Sequence, residues 1–239
     1  MNEMFAALLT WERPSDFFTS CPPSAELAAL IGLEQDPVFH PEGDVWTHTM
    51  LVVDKAAGLR DQAENPLGFM LAALCHDLGK ASTTERVGER IHAYGHEEAG
   101  IVPAREFLSR FSVEQETEDY VLNMILLHMK PNLMAAQRSG LKAMCRLFDR
   151  SVSPNDLLLL AKCDHGVGDY AETACWLWTQ YDLFQARMAM PYVTKQDLIG
   201  SGFAEHLSEG LEYAHKLRLA GVEKDSALKQ TAAFLRKMK

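Results

Sequence analysis

The stretch Leu71–Ser82, LAALCHDLGKAS, decides how this chain reads. Leu71, Leu74, Cys75 and Leu78 recur at three- and four-residue spacing, the pattern of a helix face turned to a core. His76 and Asp77 interrupt that face side by side. Burying ionisable groups is costly unless other groups satisfy them. A divalent metal ion satisfies them if the rest of the chain supplies further ligands. Pro66 is the expected start of this helix, running over 66–78. Gly79 is the expected stop, in the left-handed position that follows many helices.

Outward from this stretch, helix signals recur and strand signals are almost absent. Asp44 is the expected N-cap of a helix over about 44–60 that carries Val45, His48, Leu51, Val52 and Lys55. Residues 96–110 open with Glu97 and Glu98, acids suited to a helix N-terminus. Ser112 with Gln115 reads as a capping box for a helix to about Lys130, with Pro131 close behind. Ser153-Pro154-Asn155-Asp156 combines a cap, a first-turn proline and an acid, and starts a helix that runs through LLLLAKCD to Gly166. In ACWLWTQYDLFQARM, Trp176, Leu177, Tyr181 and Phe184 fall at helical spacing and are expected to pack in a core. PYVTKQDLIGSG reads as a break before helices at 203–220 and 224–237. The expected fold is all-α. A helical lead-in covers 1–40, a metal-binding helical domain 41–190, and a helical extension 191–239.

With 239 residues, 47 % of them hydrophobic, the chain can bury a sizeable core. No apolar run is long enough for a membrane span. The start, MNEMFAALLTWERPSDFF, lacks the basic and small-residue marks of a secretory signal. Five cysteines without a C-x-x-C pair point to free thiols in a reducing cytoplasm. A net charge of −10 argues against broad attraction to nucleic acid, yet leaves room for a local basic pocket around a small anion.

Six residues bear on a metal. His48 lies on the first long helix, and His76 and Asp77 end the second. His96 begins the next, His128 closes another, and Asp164 follows LLLLAKC. Imidazole and carboxylate together suit manganese, iron, cobalt, nickel or magnesium better than a thiolate zinc site does. One histidine on an apolar helix is usually a satisfied core group. The ordered set carries the reading, whereas Cys75 reads as a buried apolar residue. Lys80 has two readings, a cation favoured by a helix C-terminus and a point charge for a phosphate oxygen or leaving group. Arg86, Arg90, Lys130 and Arg138 are candidates to ring the mouth. His92 is a candidate substitute for His96. His40 is expected to support a turn, and His165, His206 and His215 to be surface or structural groups.

The order His…His-Asp…Asp resembles the HD-domain metal-dependent phosphohydrolases. The resemblance implies His48, His76, Asp77 and Asp164 as ligands of one divalent ion. It implies His96 and His128 as the extra ligands of two-metal members, with Asp77 bridging. ERPSDFF, HPEGDVWTHTMLVVDKAA, LAALCHDLGKAST, GHEEAG, LLLLAKCD and VTKQDLIGSGF are similar, in the same order, to the C-terminal half of bacterial CCA-adding tRNA nucleotidyltransferases. The likeness runs from about residue 9 to 237 and leaves out the half that holds the carboxylates of nucleotide transfer, so the chain is expected not to add CCA. It implies a phosphatase or 2′,3′-cyclic phosphodiesterase acting on nucleotides or other small phosphoesters. Asp77 would orient the metals and accept a proton from water, and Lys80 would stabilise the leaving oxygen. Lys80, Arg86, Arg90 and Lys130 would bind the substrate. The implied partner is a small phosphorylated molecule, with no membrane. Contact with tRNA stays open, because DHGVGD stands where many relatives place arginines. Two other readings are a non-catalytic metal- or tRNA-binding HD module and an HD-type di-iron oxygenase.

Overall fold

Helices dominate the computed structural model, which describes residues 2–166 and 169–238. Val167 and Gly168 of the DHGVGD run lie outside the described residues. The chain opens with α1 (Glu3–Thr10), α2 (Ser15–Ser20) and α3 (Ala25–Ala28), followed by α4 (Val45–Ala57), α5 (Pro66–Cys75) and α6 (Lys80–Thr83). Among the described residues, strands occur only in one antiparallel hairpin of β1 (Glu85–Val87) and β2 (Arg90–His92), with Arg86 opposite Ile91. Next come α7 (His96–Ala99), α8 (Ile101–Leu108), α9 (Gln115–Leu127), α10 (Met129–Ala136), α11 (Leu141–Arg150) and α12 (Pro154–Asp164). The chain closes with α13 (Ala171–Ala189), α14 (Lys195–Gly200), α15 (Leu207–Leu219) and α16 (Lys224–Arg236).

Side-chain caps form at three helix starts, two of them, at Asp44 and Ser153, as expected. Asp44 accepts from the Thr47 amide at 2.8 Å, and Asn65 accepts from the Gly68 amide at 2.9 Å beside Pro66. Ser153 accepts from the Asp156 amide at 3.3 Å. Each satisfies an N–H that a helix start leaves orphaned.

Packing divides the chain into two compact units. The first comprises Met1–Gln137 and Ser151–Leu177, the second Arg138–Arg150 and Trp178–Lys239. This division does not follow the 190/191 boundary read from the sequence, since α11 and the later part of α13 fall in the second unit. In the first unit α5 is buried from Gly68 to Cys75, with α1, α4, α9 and α12 packed against it. Buried Asp156 fixes where α5 begins. It accepts from the Glu64 amide at 3.0 Å and the Tyr120 hydroxyl at 2.6 Å, tying the turn before α5 to α9 and α12. The second unit packs α14, α15 and α16 around Leu198, Phe203, Ala214, Ala227 and Leu235.

Several local expectations need correction. Gly79 is right-handed (φ −67°), and α5 ends earlier, at Cys75. Its reason for being glycine is space: a Cβ there would run into the His96 carbonyl oxygen. The 96–110 helix is two helices that meet at Gly100. Ser112 caps nothing; α9 starts after Glu114 and makes no side-chain cap. It turns at His128 into α10, whose first turn contains Pro131. The break PYVTKQDLIGSG contains α14, with a complete capping box between Thr194 and Asp197. Of the four aromatic-helix positions expected in a core, only Leu177 is buried. Tyr181 and Phe184 are half-buried, their rings 5.4 and 5.5 Å from that of Phe148.

Candidate metal centre

Six residues from five helices or their ends converge inside the first unit. His48 comes from near the start of α4, and His76 and Asp77 from the turn that ends α5. His96 opens α7, His128 joins α9 to α10, and Asp164 closes α12. His48, His76, Asp77, His96 and His128 are buried, as is Lys80 beside them.

The donors fall into two groups around Asp77. In one, His48 Nε2 lies 3.0 Å and His76 Nε2 3.5 Å from Asp164 Oδ1. Asp77 Oδ2 faces the same two nitrogens at 3.8 and 3.2 Å. In the other, Asp77 Oδ1 lies 3.4 Å from His96 Nε2 and 3.9 Å from His128 Nε2. The two oxygens of one carboxylate are thus divided between two imidazole pairs. Both sets, His48/His76/Asp164 and Asp77/His96/His128, bring their ligand atoms within 4.8 Å of one another, close enough to hold a cation.

The other ring nitrogen of each histidine fixes its tautomer. The Nδ1 atoms of His76, His96 and His128 meet the carbonyls of Ala73, Ala93 and Ile125, three residues back, at 2.9, 2.7 and 2.7 Å. His48 Nδ1 meets Glu42 Oε1 at 2.6 Å. Carbonyl and carboxylate oxygens only accept, so every Nδ1 carries the hydrogen. In its neutral form, the form that binds a metal, each ring points an Nε2 lone pair inward. His96 and His128 place two such lone pairs 3.2 Å apart. His76 Nε2 and Asp77 Oδ1 are buried without a hydrogen-bond partner, while Asp77 Oδ2 has the Lys80 ammonium 2.8 Å away. Buried acceptors facing acceptors are satisfied by a cation, and the N/O donor set fits a divalent metal.

Charge follows the same geometry. Burial opposes ionisation of Asp77, yet the neighbouring His76 and Lys80 hold its carboxyl well below the usual range. Asp164 behaves likewise, its burial outweighed by hydrogen bonds with His48 and His76. Burial also works against a charged His76, but Asp77 and Asp164 raise its pKa to about 10. At His128 burial outweighs the pull of Asp164 and Asp77 and lowers its pKa to about 4.

Lys80 Nζ lies 2.8 Å from Asp77 Oδ2 and donates to Gln35 Oε1 at 2.9 Å. The other basic residues singled out in the sequence are ion-paired. Arg86 pairs with Glu34 at 2.6 Å, Arg90 with Asp36, and Lys130 with Glu97 at 3.4 Å. Arg138 belongs to the second unit. His92 stacks on Tyr94 and takes no part in either donor set, while His40 meets Glu42 at 3.0 Å. Nothing in the sequence singles out Gln35 or Glu42, and Glu97 reads there only as an acid at a helix start. They sit in loops or at a helix start, where no periodicity marks a residue as facing the site. Glu42 offers one weak signal, its place in HPEGD just ahead of the capped helix that carries His48.

A helical unit with paired His/Asp donor sets buried within it defines a class, and comparison with known proteins gives it a name. The model of the HD domain matches residues 45–165, and the chain belongs to this family, which lies in a superfamily of metal-dependent phosphohydrolases. Within it, the chain is 40 % identical over 113 residues to the Multifunctional CCA protein of Actinobacillus pleuropneumoniae serotype 5b, covering 47 % of this chain and 27 % of that protein. It is 41 % identical over 96 residues to the protein of that name from Pasteurella multocida, covering 40 % and 22 %. With that of Laribacter hongkongensis it shares 37 % identity over 166 residues, covering 64 % and 40 %. The aligned part therefore spans less than half the length of these relatives.

Proposed function

We propose that this chain is a metal-dependent phosphoric ester hydrolase acting on nucleotides or other small phosphoesters, of the phosphatase or 2′,3′-cyclic phosphodiesterase type. The observation that carries the reading is the division of Asp77, one oxygen toward each imidazole pair. His48, His76, Asp77 and Asp164 would hold one divalent ion. Asp77, His96 and His128 would hold a second, with fewer carboxylates and a weaker grip. Divalent ions supply activation of water and neutralisation of charge on phosphoryl oxygens.

The chain's own residues do the rest. Asp77 orients both donor sets, and its strongly lowered carboxyl suits a ligand better than a proton acceptor. Lys80 is held by Gln35 and Asp77 with its ammonium buried, which places a fixed positive charge for the leaving oxygen. Such preorganised charge lowers the barrier without reorganisation during reaction. Arg86, Arg90 and Lys130 are the candidate contacts for the remaining anionic groups, and would exchange Glu34, Asp36 and Glu97 for substrate oxygens. No helix among the described residues is long and apolar enough to cross a membrane. The free cysteines support a reducing, cytoplasmic setting.

The test is a panel of phosphomonoesters, phosphodiesters and 2′,3′-cyclic nucleotides offered to protein reconstituted with Mn²⁺, Co²⁺, Ni²⁺ or Mg²⁺, with elemental analysis of the same samples. Hydrolysis that tracks metal content is expected. Metal-loaded protein that turns over no phosphoester overturns the reading.

A further inference from the structure

Three of the four inward-facing histidines lean on backbone carbonyls, and one leans on a charge. His76, His96 and His128 each direct Nδ1 to a neutral oxygen three residues back. His48 directs Nδ1 to Glu42 Oε1 at 2.6 Å. The same oxygen meets His40 Nδ1 at 3.0 Å, and the His40 ring stands edge-on to His48 with centroids 4.7 Å apart. A carboxylate oxygen within hydrogen-bond reach of two imidazole nitrogens accepts from both. Glu42 therefore accepts from two N–H groups. His40, Glu42 and His48 also lie close enough to form a set of their own; in it Glu42 Oε1 is taken by the two Nδ1 atoms, and Glu42 Oε2 is buried without a hydrogen-bond partner.

We propose that Glu42 is a positioning residue for the metal centre: it locks His48 in the Nδ1–H tautomer, lends negative charge to its Nε2, and makes the His48/His76/Asp164 set the tighter of the two. His40 supports it by holding the Glu42 oxygen in place. A carboxylate behind an imidazole ligand raises its basicity, and loss of such a partner weakens metal binding about 10–100-fold. A carbonyl fixes orientation equally well but brings no net charge. The asymmetry therefore falls on one donor set, and it is built from a loop residue rather than a ligand.

This inference rests on the metal-centre reading, and the experiment separates the two. Mn²⁺ is titrated calorimetrically into chelator-stripped wild-type, Glu42→Gln, Glu42→Asp and His40→Gln proteins, and ¹⁵N shifts of the His48 ring are read in the stripped proteins. Glu42→Gln keeps a hydrogen-bond acceptor and removes the charge. It is expected to weaken the tighter site about 10-fold or more, to leave the weaker site unchanged, and to shift the His48 nitrogen signals. Glu42→Asp is expected to recover part of the affinity, and His40→Gln to lose less than Glu42→Gln. Wild-type protein that binds no Mn²⁺ overturns the metal centre and the inference together. Wild-type protein that binds Mn²⁺ while Glu42→Gln binds it equally well overturns the role of Glu42 alone. Equal weakening of both sites, with unchanged His48 signals, also overturns it.

Discussion

Replacing Asp77 by Asn keeps the shape of the side chain and removes the charge that faces both imidazole pairs. Asp77→Asn is expected to lose metal from both donor sets, whereas His96→Ala or His128→Ala loses only the second ion and halves the stoichiometry at saturation. Elemental analysis of saturated protein checks this. Unchanged metal content in Asp77→Asn contradicts the assignment, and one ion per chain in the wild-type, His96→Ala and His128→Ala proteins makes the centre mononuclear. The same residues set the pH dependence of metal-stripped protein. His76 is raised from 6.5 to about 10, so the folded state binds more protons across that window and stability falls as pH rises through it. His128 is lowered from 6.5 to about 4, so the unfolded chain binds more protons there and stability falls as pH drops. Asp77 and Asp164, held below their ordinary 3.8, add stability above that value and lose it in stronger acid. The slopes meet, and the stripped protein is expected to have its highest Tm near about pH 6.5. Thermal melts at about pH 5, 6.5 and 9 read this directly, and a Tm that climbs from 6.5 to 9 contradicts it.

Elements place these residues, and one buried carboxylate places the central element. Asp156 gathers the Glu64 and Asn65 amides, the Asn155 side chain and the Tyr120 hydroxyl, and so sets where α5 starts. Tyr120→Phe removes one hydrogen bond to a charged group and is expected to cost about 1.5–3 kcal/mol in urea unfolding. A loss under about 0.5 kcal/mol would show that the bond adds nothing net. At this scale the sequence is legible where the signal is local. Asp44 and Ser153-Pro154 mark helix starts because a short polar side chain must meet an amide two or three residues on, whereas at α5 Pro66 gives the start and the Asn65 cap goes unread. The order of the six histidines and aspartates is legible because all but His96 interrupt or end an apolar run. What depends on distant partners is not. Gly79 reads as a turn glycine, yet the backbone of His96 crowds it from α7. Ser112 and Gln115 fit a capping pattern that the chain passes over, while the real box, Thr194 with Asp197, lies in a stretch that reads as a break. Helix α11 went unread although its apolar residues Met144, Cys145, Leu147 and Phe148 are buried. Glu42 and Gln35 touch the site from a loop, where spacing carries no directional information.

Across the whole molecule, all six donors lie within the first unit, and the acidic residues outnumber the basic ones by 33 to 23. These two facts give opposite accounts of any stabilisation by divalent cations. A built centre binds the folded state and not the unfolded one, so it stabilises by RT ln(1 + [L]/Kd), about 2.7 kcal/mol at 100 times Kd. A unit of this size gains about 2–4 °C in Tm per kcal/mol, so Mn²⁺ at that excess is expected to raise the melting point of stripped protein by about 5–11 °C. An acidic surface also attracts divalent cations, but weakly and without regard to which ion or which carboxylate, because exposed charges are screened by solvent and salt. Asp77→Asn removes one of the 33 acids and leaves that surface intact. Scanning fluorimetry of both proteins with Mn²⁺ at moderate salt separates the accounts. If the cation acts through the centre, wild-type protein shows the full shift and Asp77→Asn shows almost none. Equal shifts in the two proteins would mean that the cation acts through the surface and that the buried donors contribute nothing to its binding.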